Sequence, residues 1–230
     1  MIDDRILKII SKEAFDKIQK LNVLIVGVGG VGGYALEALV RSGILNITII
    51  DKDKIDESNL NRQIIALSSN INRSKVEEAK TRMLDIRKNL NINAIELFLN
   101  KDNVSEVLAG NNYDYIIDAC DNVTVKVELI DYAIKNNINI ISCLGTGNRF
   151  NPEELKITTL DKTYNDPLGK VLRKLLKEKG IRKKVTVAWS KELPIKTSSR
   201  TPGSMVFVPS CAGILIASYI IRKEINNEFN

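Results

Sequence analysis

The stretch Gly27-Val28-Gly29-Gly30-Val31-Gly32 follows the largely apolar run LNVLIV that begins at Leu21, and Asp51 stands nineteen residues beyond Gly32. Glycines at these intervals allow a tight turn and a close approach of backbone to ligand. Amides at the start of the following helix would then face phosphate, and an acid at the tip of the next strand would accept from ribose hydroxyls. Gly27, Gly29, Gly30, Gly32 and Asp51 are therefore the expected nucleotide contacts. A glycine-rich turn without a ligand would look the same, and the fingerprint alone does not choose between NAD, FAD and ATP.

The next polar stretch narrows the choice. Arg62 lies in the run from Ser58 to Gln63, and Lys75 stands at the start of a helical pattern, so both cations are expected near the C-terminal edge of the sheet. Two cations there suit a triphosphate better than a pyrophosphate bridging two nucleosides, although such a pair can also be ordinary solvated charge. Asn59 and Gln63 of the same run are further candidate cofactor contacts. The strand reading Asp114 to Cys120 delivers Asp121 and Asn122 to the same edge. A carboxylate beside phosphates calls for a cation, so Asp121 is a candidate Mg²⁺ ligand; the competing role is a cap on the helix beginning near Thr124. Asp118, inside the strand, is expected to be structural.

The chain contains no histidine. Histidine general acid–base catalysis, Ser-His or Cys-His nucleophiles and His-ligated metals are thereby excluded, and no Tyr-Lys pair at a recognisable spacing points to a nicotinamide oxidoreductase. Cys120, Cys143 and Cys211 are odd in number and far apart, which disfavours a disulfide framework or a zinc site. Thioester formation at Cys120 or Cys143 is a minor alternative, since neither falls in a visibly electropositive loop.

These residues need a scaffold. Leu21–Gly27, Asn46–Asp51, Ala94–Leu99, Asp114–Cys120 and Ile138–Cys143 read as strands, the first as an apolar run covered on both faces. Helical spacing over 31–42, 74–90, 104–109 and 124–136 alternates with them. The expected fold class is α/β, Rossmann-like and doubly wound, with a mainly parallel sheet and a C-terminal α/β elaboration on the same sheet. One domain over 1–230 is expected: an N-terminal helix in 1–20, a nucleotide-binding core in 21–147 and a basic elaboration in 148–230. In the last part a strand KITTL, a helix over 167–179, a strand KVTVAWS, and a final strand and helix from Ser204 to Ile225 are read. Pro209 and Ser210 interrupt the longest apolar stretch, leaving it too short for a bilayer of about 30 Å. The N-terminus has no targeting pattern, so a cytoplasmic protein without membrane partners is expected.

Charge is uneven: residues 161–200 hold twelve Lys or Arg against four acids, +8, leaving −2 for the rest of a chain whose net charge is +6.

In order and spacing, GVGGVGGYALEALVRSGI, IIDKDKIDESNLNRQ, the lysine of RSKVE and IIDACDN resemble the ThiF/MoeB superfamily of ubiquitin-activating-type adenylating enzymes. The segments ISCLGTGNRFNPEELKITTLDKTYNDPLGKVLRKLLKEKGI and VPSCAGILIASYII are similar to its tRNA threonylcarbamoyladenosine dehydratase branch. Ser11 and Ile65 stand where members often carry glycine and histidine. The absence of two CxxC pairs disfavours the zinc-containing MoeB-like branch.

The resemblance implies ATP and Mg²⁺ as cofactors and a carboxylate that attacks the α-phosphate. It assigns the phosphates to Gly29 and its neighbours, the ribose to Asp51, the developing charge to Arg62 and Lys75, and the magnesium to Asp121. Arg5 matches an N-terminal arginine that reaches the partner subunit's site, implying a homodimer. The substrate implied is tRNA, and sulfur-transfer proteins are further expected partners. The alternatives are adenylation of the C-terminus of a ubiquitin-like sulfur carrier and a non-catalytic nucleotide-binding module. On the helix over 167–179, Leu168, Val171, Leu172, Leu175 and Leu176 would form the apolar face, leaving Lys170, Arg173, Lys174 and Lys177 as a tRNA-binding surface or a plain solvated one. Trp189 is more at home in the core than on a base.

Overall fold

The computed structural model describes residues 2–199 and 201–225; Arg200, one of the twelve cations above, lies outside them. Seven strands form one sheet in the order β3-β2-β1-β4-β5-β7-β6: β1 (Asn22–Val26), β2 (Asn46–Asp51), β3 (Asn91–Glu96), β4 (Tyr115–Asp118), β5 (Asn139–Cys143), β6 (Leu155–Thr159) and β7 (Thr186–Ser190). All neighbours pair parallel except β6 with β7. The expected mainly parallel doubly wound sheet, with the C-terminal strands on the same sheet, is the fold observed.

Helices cover both faces, so adjacent residues of β1 enter different cores. Val23 and Ile25 join a cluster with Phe15 and Ile18 of α1 (Lys12–Lys20), Leu36 and Leu39 of α2 (Gly32–Arg41), Val76 and Met83 of α3 (Lys75–Ile86), and Ile216 and Ile220 of α7 (Phe207–Ile225). Leu24 and Val26 join Val104 and Leu108 of α4 (Val104–Leu108) and Val125 and Leu129 of α5 (Val123–Lys135). Two-sided burial is why the strand reads as a continuous apolar run. A third cluster seats α6 (Pro167–Glu178) on α5 and β7 through Leu172, Leu176, Val187 and Trp189. Trp189 is thus a core residue, and Val171, expected on the apolar face of α6, is exposed.

Three element boundaries differ from the sequence reading. β3 begins at Asn91 because it pairs in register with β2 from Asn46 to Asp51, and residues 97–99 leave the sheet. The pattern over 74–90 stops at Ile86, where Arg87 turns extended and buries its guanidinium against the Val40 carbonyl and Asp3. The strand expected from Ser204 does not form: α7 starts at Phe207, with Pro209 in the first turn, where a missing N–H costs nothing. At the two departures from the family pattern, Ser11 caps α1 by accepting the Ala14 N–H and Ile65 is buried in the core.

Among the described residues no helix is long and apolar enough to cross a membrane, and no cluster of His, Cys, Asp and Glu could by itself hold a metal ion.

Candidate functional site

The chain leaves β1 toward β2 on one side and, through its later crossovers, adds β4 on the other, so the direction of strand addition reverses between β1 and β4. Crevices beyond the C-terminal ends of strands at such a switch point are where open α/β sheets bind ligands. Val26 is in register with Ile50 and with Asp118, so the loops after β1, β2 and β4 emerge side by side. They enclose a cavity of about 360 Å³, with residues 97–99 after β3 forming another wall and Thr146, Ser204 and Pro209 contributing from the C-terminal half.

Glycine is obligatory on the floor. Gly27 has φ +90°, and a Cβ there would meet the Ala119 carbonyl oxygen at 2.8 Å; a Cβ on Gly32 would fall 1.8 Å from the Gly27 carbonyl oxygen. The β1 and β4 loops therefore touch backbone to backbone. Asp51 closes the other side: one carboxylate oxygen accepts the Val28 N–H at 2.7 Å and the other the Asp53 N–H at 2.9 Å. Each oxygen keeps a further lone pair for a ligand hydroxyl.

The two expected cations both line the cavity. Lys75, first residue of α3, is buried, and its Nζ lies 2.9 Å from Asp53 Oδ2. Arg62 is half-buried, its Nη1 donating to the Ser58 carbonyl at 2.6 Å and to Asn61 Oδ1 at 2.9 Å. Asp53 was not singled out in the sequence; its place two residues after the strand-ending Asp51 is the only signal that could have marked it.

Gln63 is buried on the cavity wall, and among the described residues its Oε1 has no hydrogen-bond partner, so it can accept from a ligand. Asn59 also lines the cavity, but its Oδ1 accepts the Asp56 N–H and closes its own turn. Asp121 is exposed at the rim. The helix cap falls to Asn122 instead: its Oδ1 accepts from the Thr124 and Val125 N–H groups, which commits that oxygen to α5. Arg5 is exposed and not among the lining residues of its own chain's cavity.

Beneath the β4 loop lies a buried ionic cluster. Lys126 Nζ is 3.0 Å from Asp118 Oδ1 and donates to the Cys143 carbonyl at 2.8 Å, and Ser142 Oγ donates to Asp118 Oδ2 at 2.5 Å. Burial would push the Lys126 ammonium down, but the Asp118 charge and hydrogen bond outweigh it and hold it above its ordinary range. Cys120 lines the cavity, yet burial, and then the charge of Asp118, raises its thiol well above the ordinary value. Burial pushes Cys143 up to about 12. A thiol so raised is almost wholly protonated near neutrality and is a poor nucleophile. Cys120→Ala is accordingly expected to keep AMP formation within a few-fold of the parent, measured at saturating ATP; collapse of turnover would restore the thioester alternative.

On α6, Lys170, Lys174 and Lys177 are exposed and recur at helical spacing along one face. Lys174 pairs loosely with Glu178 at 3.8 Å, a surface contact that leaves it available. Arg173 does not join them. It is half-buried, and its Nη1 donates to the Leu160 and Thr163 carbonyls at 3.1 Å and to the Thr163 hydroxyl, tying α6 to the turn before it. Sequence reasoning also missed Arg149 and Asp166, a buried pair 3.0 Å apart.

Comparison with known proteins bears on what this cavity holds. The chain is 34% identical over 229 residues to the tRNA threonylcarbamoyladenosine dehydratase of Bacillus subtilis, covering 92% of this chain and 90% of that one. It is similar to a crystal structure of the E. coli tRNA N6-threonylcarbamoyladenosine dehydratase in complex with ATP, with a TM-score of 0.90 and 32% identity over 96% of this chain and 92% of that one. A structure of the E. coli enzyme in complex with AMP gives the same TM-score with 31% identity, over 99% and 98%. The model of the ThiF family matches residues 3–222, and with the cavity at the switch point of the sheet the chain belongs to that family.

Proposed function

We propose that this chain is an ATP-dependent tRNA-modifying enzyme that adenylates the carboxylate of N6-threonylcarbamoyladenosine beside the anticodon and promotes its cyclising dehydration. The observation that carries the reading is one cavity bringing a glycine floor, Asp51, two cations and Asp121 together at the switch point. Near full-length likeness to the dehydratases, with ATP in one E. coli structure and AMP in another, supports it.

In this reading the apolar wall of Val26, Ile50 and Leu97 takes the adenine, Asp51 the ribose hydroxyls, and Gly29, Gly30 and the start of α2 the phosphates. Arg62 and Lys75 meet the charge that develops when a carboxylate oxygen attacks the α-phosphorus and pyrophosphate leaves. A nitrogen or the carbonyl oxygen of the same ureido group then attacks the activated carbonyl, a ureido N–H proton passes to solvent, and the ring closes with expulsion of AMP, which carries off the oxygen of the water formally lost. Holding both reacting groups in one molecule needs no enzyme nucleophile, in keeping with a chain that has no histidine. A Mg²⁺ ion fits a site that offers one rim carboxylate, Asp121, and leaves the remaining ligands to phosphates and water. Such an ion would supply charge neutralisation at the departing pyrophosphate. The protein works as a cytoplasmic homodimer in which Arg5 serves the partner subunit's cavity, and sulfur-transfer proteins are its further candidate partners.

The deciding experiment incubates the protein with Mg-ATP and tRNA carrying the threonylcarbamoyl group, followed by mass spectrometry of the nucleosides. Loss of one water, dependent on ATP and matched by AMP, is expected. Unchanged mass despite ATP binding would overturn the reading. Charge reversal of Lys174 and Lys177 together should weaken tRNA binding and reduce its salt slope by roughly 1.5, since each lost phosphate contact removes about 0.7–0.9, with ATP affinity unaltered. An unchanged slope would return α6 to an ordinary solvated face.

A further inference from the structure

A second groove, about 560 Å³, opens at the N-terminal end of α6 between Thr163, Tyr164, Pro167, Lys170, Leu193 and Pro194. It is separated from the nucleotide cavity by a shared wall. Thr146 lines the nucleotide cavity, and the carbonyl oxygen of its neighbour Gly145 accepts the Arg149 Nε–H at 2.8 Å. The same guanidinium reaches the Asn165 carbonyl at 3.2 Å and Asp166 at 3.0 Å on the groove side. The Ile195 N–H, just past Pro194, donates to the Asn148 carbonyl at 2.7 Å, fixing the opposite lip to the same wall.

The groove presents an aromatic face to solvent. Tyr164 is 52% exposed and Leu193 66%. The ring is backed by buried Trp189 in a T-shaped pair with centroids 4.8 Å apart, and Trp189 Nε1 donates to the Tyr164 carbonyl at 2.9 Å, which ties the backbone to the same ring. Asp166 caps α6 by accepting the Gly169 N–H, and its pairing with Arg149 pins the turn from the other side. Lys170 is exposed on the rim, in a stretch of the chain that is +8 over forty residues. A flat ring held rigid, with a cation beside it, is what unpaired RNA bases stack on while the adjoining phosphate is neutralised.

Resting on the tRNA-modifying reading above, we propose that this groove is a subsite for an unpaired nucleobase of the RNA, flanking the adenosine whose carboxylate enters the nucleotide cavity, with the Tyr164 ring as its stacking platform. The occupant is a nucleotide rather than an apolar peptide because the rim is cationic and the wall is shared with the reaction site.

The test uses the full-length protein and an RNA hairpin whose loop carries the threonylcarbamoyl adenosine, alongside hairpins made abasic at single loop positions. Trp189 is the only tryptophan, and its ring packs against Tyr164, so its fluorescence reports on the groove through that contact. Binding of the parent hairpin should quench it, and one abasic position should abolish the quench. Tyr164→Ala should bind the hairpin roughly 5- to 150-fold more weakly, be indifferent to that same abasic position, and bind ATP as the parent chain does, which reports an intact fold. Tyr164→Phe should restore RNA affinity. RNA affinity unchanged in Tyr164→Ala, or the same sensitivity to every abasic position in both proteins, would overturn the subsite while leaving tRNA modification standing. No binding of the hairpin by the parent protein would overturn the tRNA reading and the groove with it.

Discussion

Lys75→Ala is expected to slow ATP-dependent pyrophosphate release by roughly 10²- to 10³-fold at saturating ATP, the range found when one pre-organised donor is removed from a site of developing charge. Lys75 is buried at the first position of α3 and is held in place by Asp53, so its ammonium needs no reorganisation to meet phosphate. The substitution also leaves Asp53 facing the cavity without its partner, which opposes the binding of an anion. Measuring pyrophosphate release beside ATP affinity separates the two consequences: a fall in rate alone assigns Lys75 to the transition state, and a fall in affinity alone to ground-state binding. Arg62→Ala should show the same sign, and the double variant less than the product of the two, because both cations serve one charge. Parent-like release in both single variants would remove these residues from the chemistry.

The second large effect is on stability. Lys126→Ala strips the partner from Asp118, and both side chains are fully buried. Breaking one side of a buried pair costs about 3–5 kcal/mol, because the remaining charge has neither water nor counter-ion. At about 2–4 °C per kcal/mol for a chain of this size, Tm should fall by roughly 6–20 °C. Asp118 also receives the Cys120 N–H, so the loop that carries Asp121 should loosen before the sheet melts. Replacing both partners by apolar residues should recover much of the loss, since the desolvation penalty disappears with the charges. A thermal scan of the single and double variants decides it: a single variant as stable as the parent would mean that water reaches Asp118.

Part of this site could be read locally. The glycine turn, the acid at the tip of β2 and the cations of the following loop are adjacent in sequence to the strands that deliver them, and parallel strands with right-handed crossovers bring their C-terminal ends to one edge. Lys126 also left a trace: it falls on the stripe of Leu129, Ile130 and Ala133, three, four and seven residues on, all buried, and a charge on an apolar stripe needs a buried partner. Arg149 left none, since nothing near it in sequence has a period.

The sequence by itself determined the α/β class, the covered strands and the nucleotide edge, because each rests on contacts a few residues apart or on a periodicity that burial imposes. The tertiary structure alone decided the rest. Arg173 turns inward because the carbonyls of Leu160 and Thr163 and the Thr163 hydroxyl converge within reach of its guanidinium, whereas Lys170, one turn before Lys174, stays in water. Phe207 begins a helix rather than a strand because α7 fills the face of the sheet beside α2. Tyr164 reaches solvent because Trp189 occupies the interior behind it. Which of two chemically similar side chains is desolvated depends on partners far away in the chain, and local pattern carries no information about them.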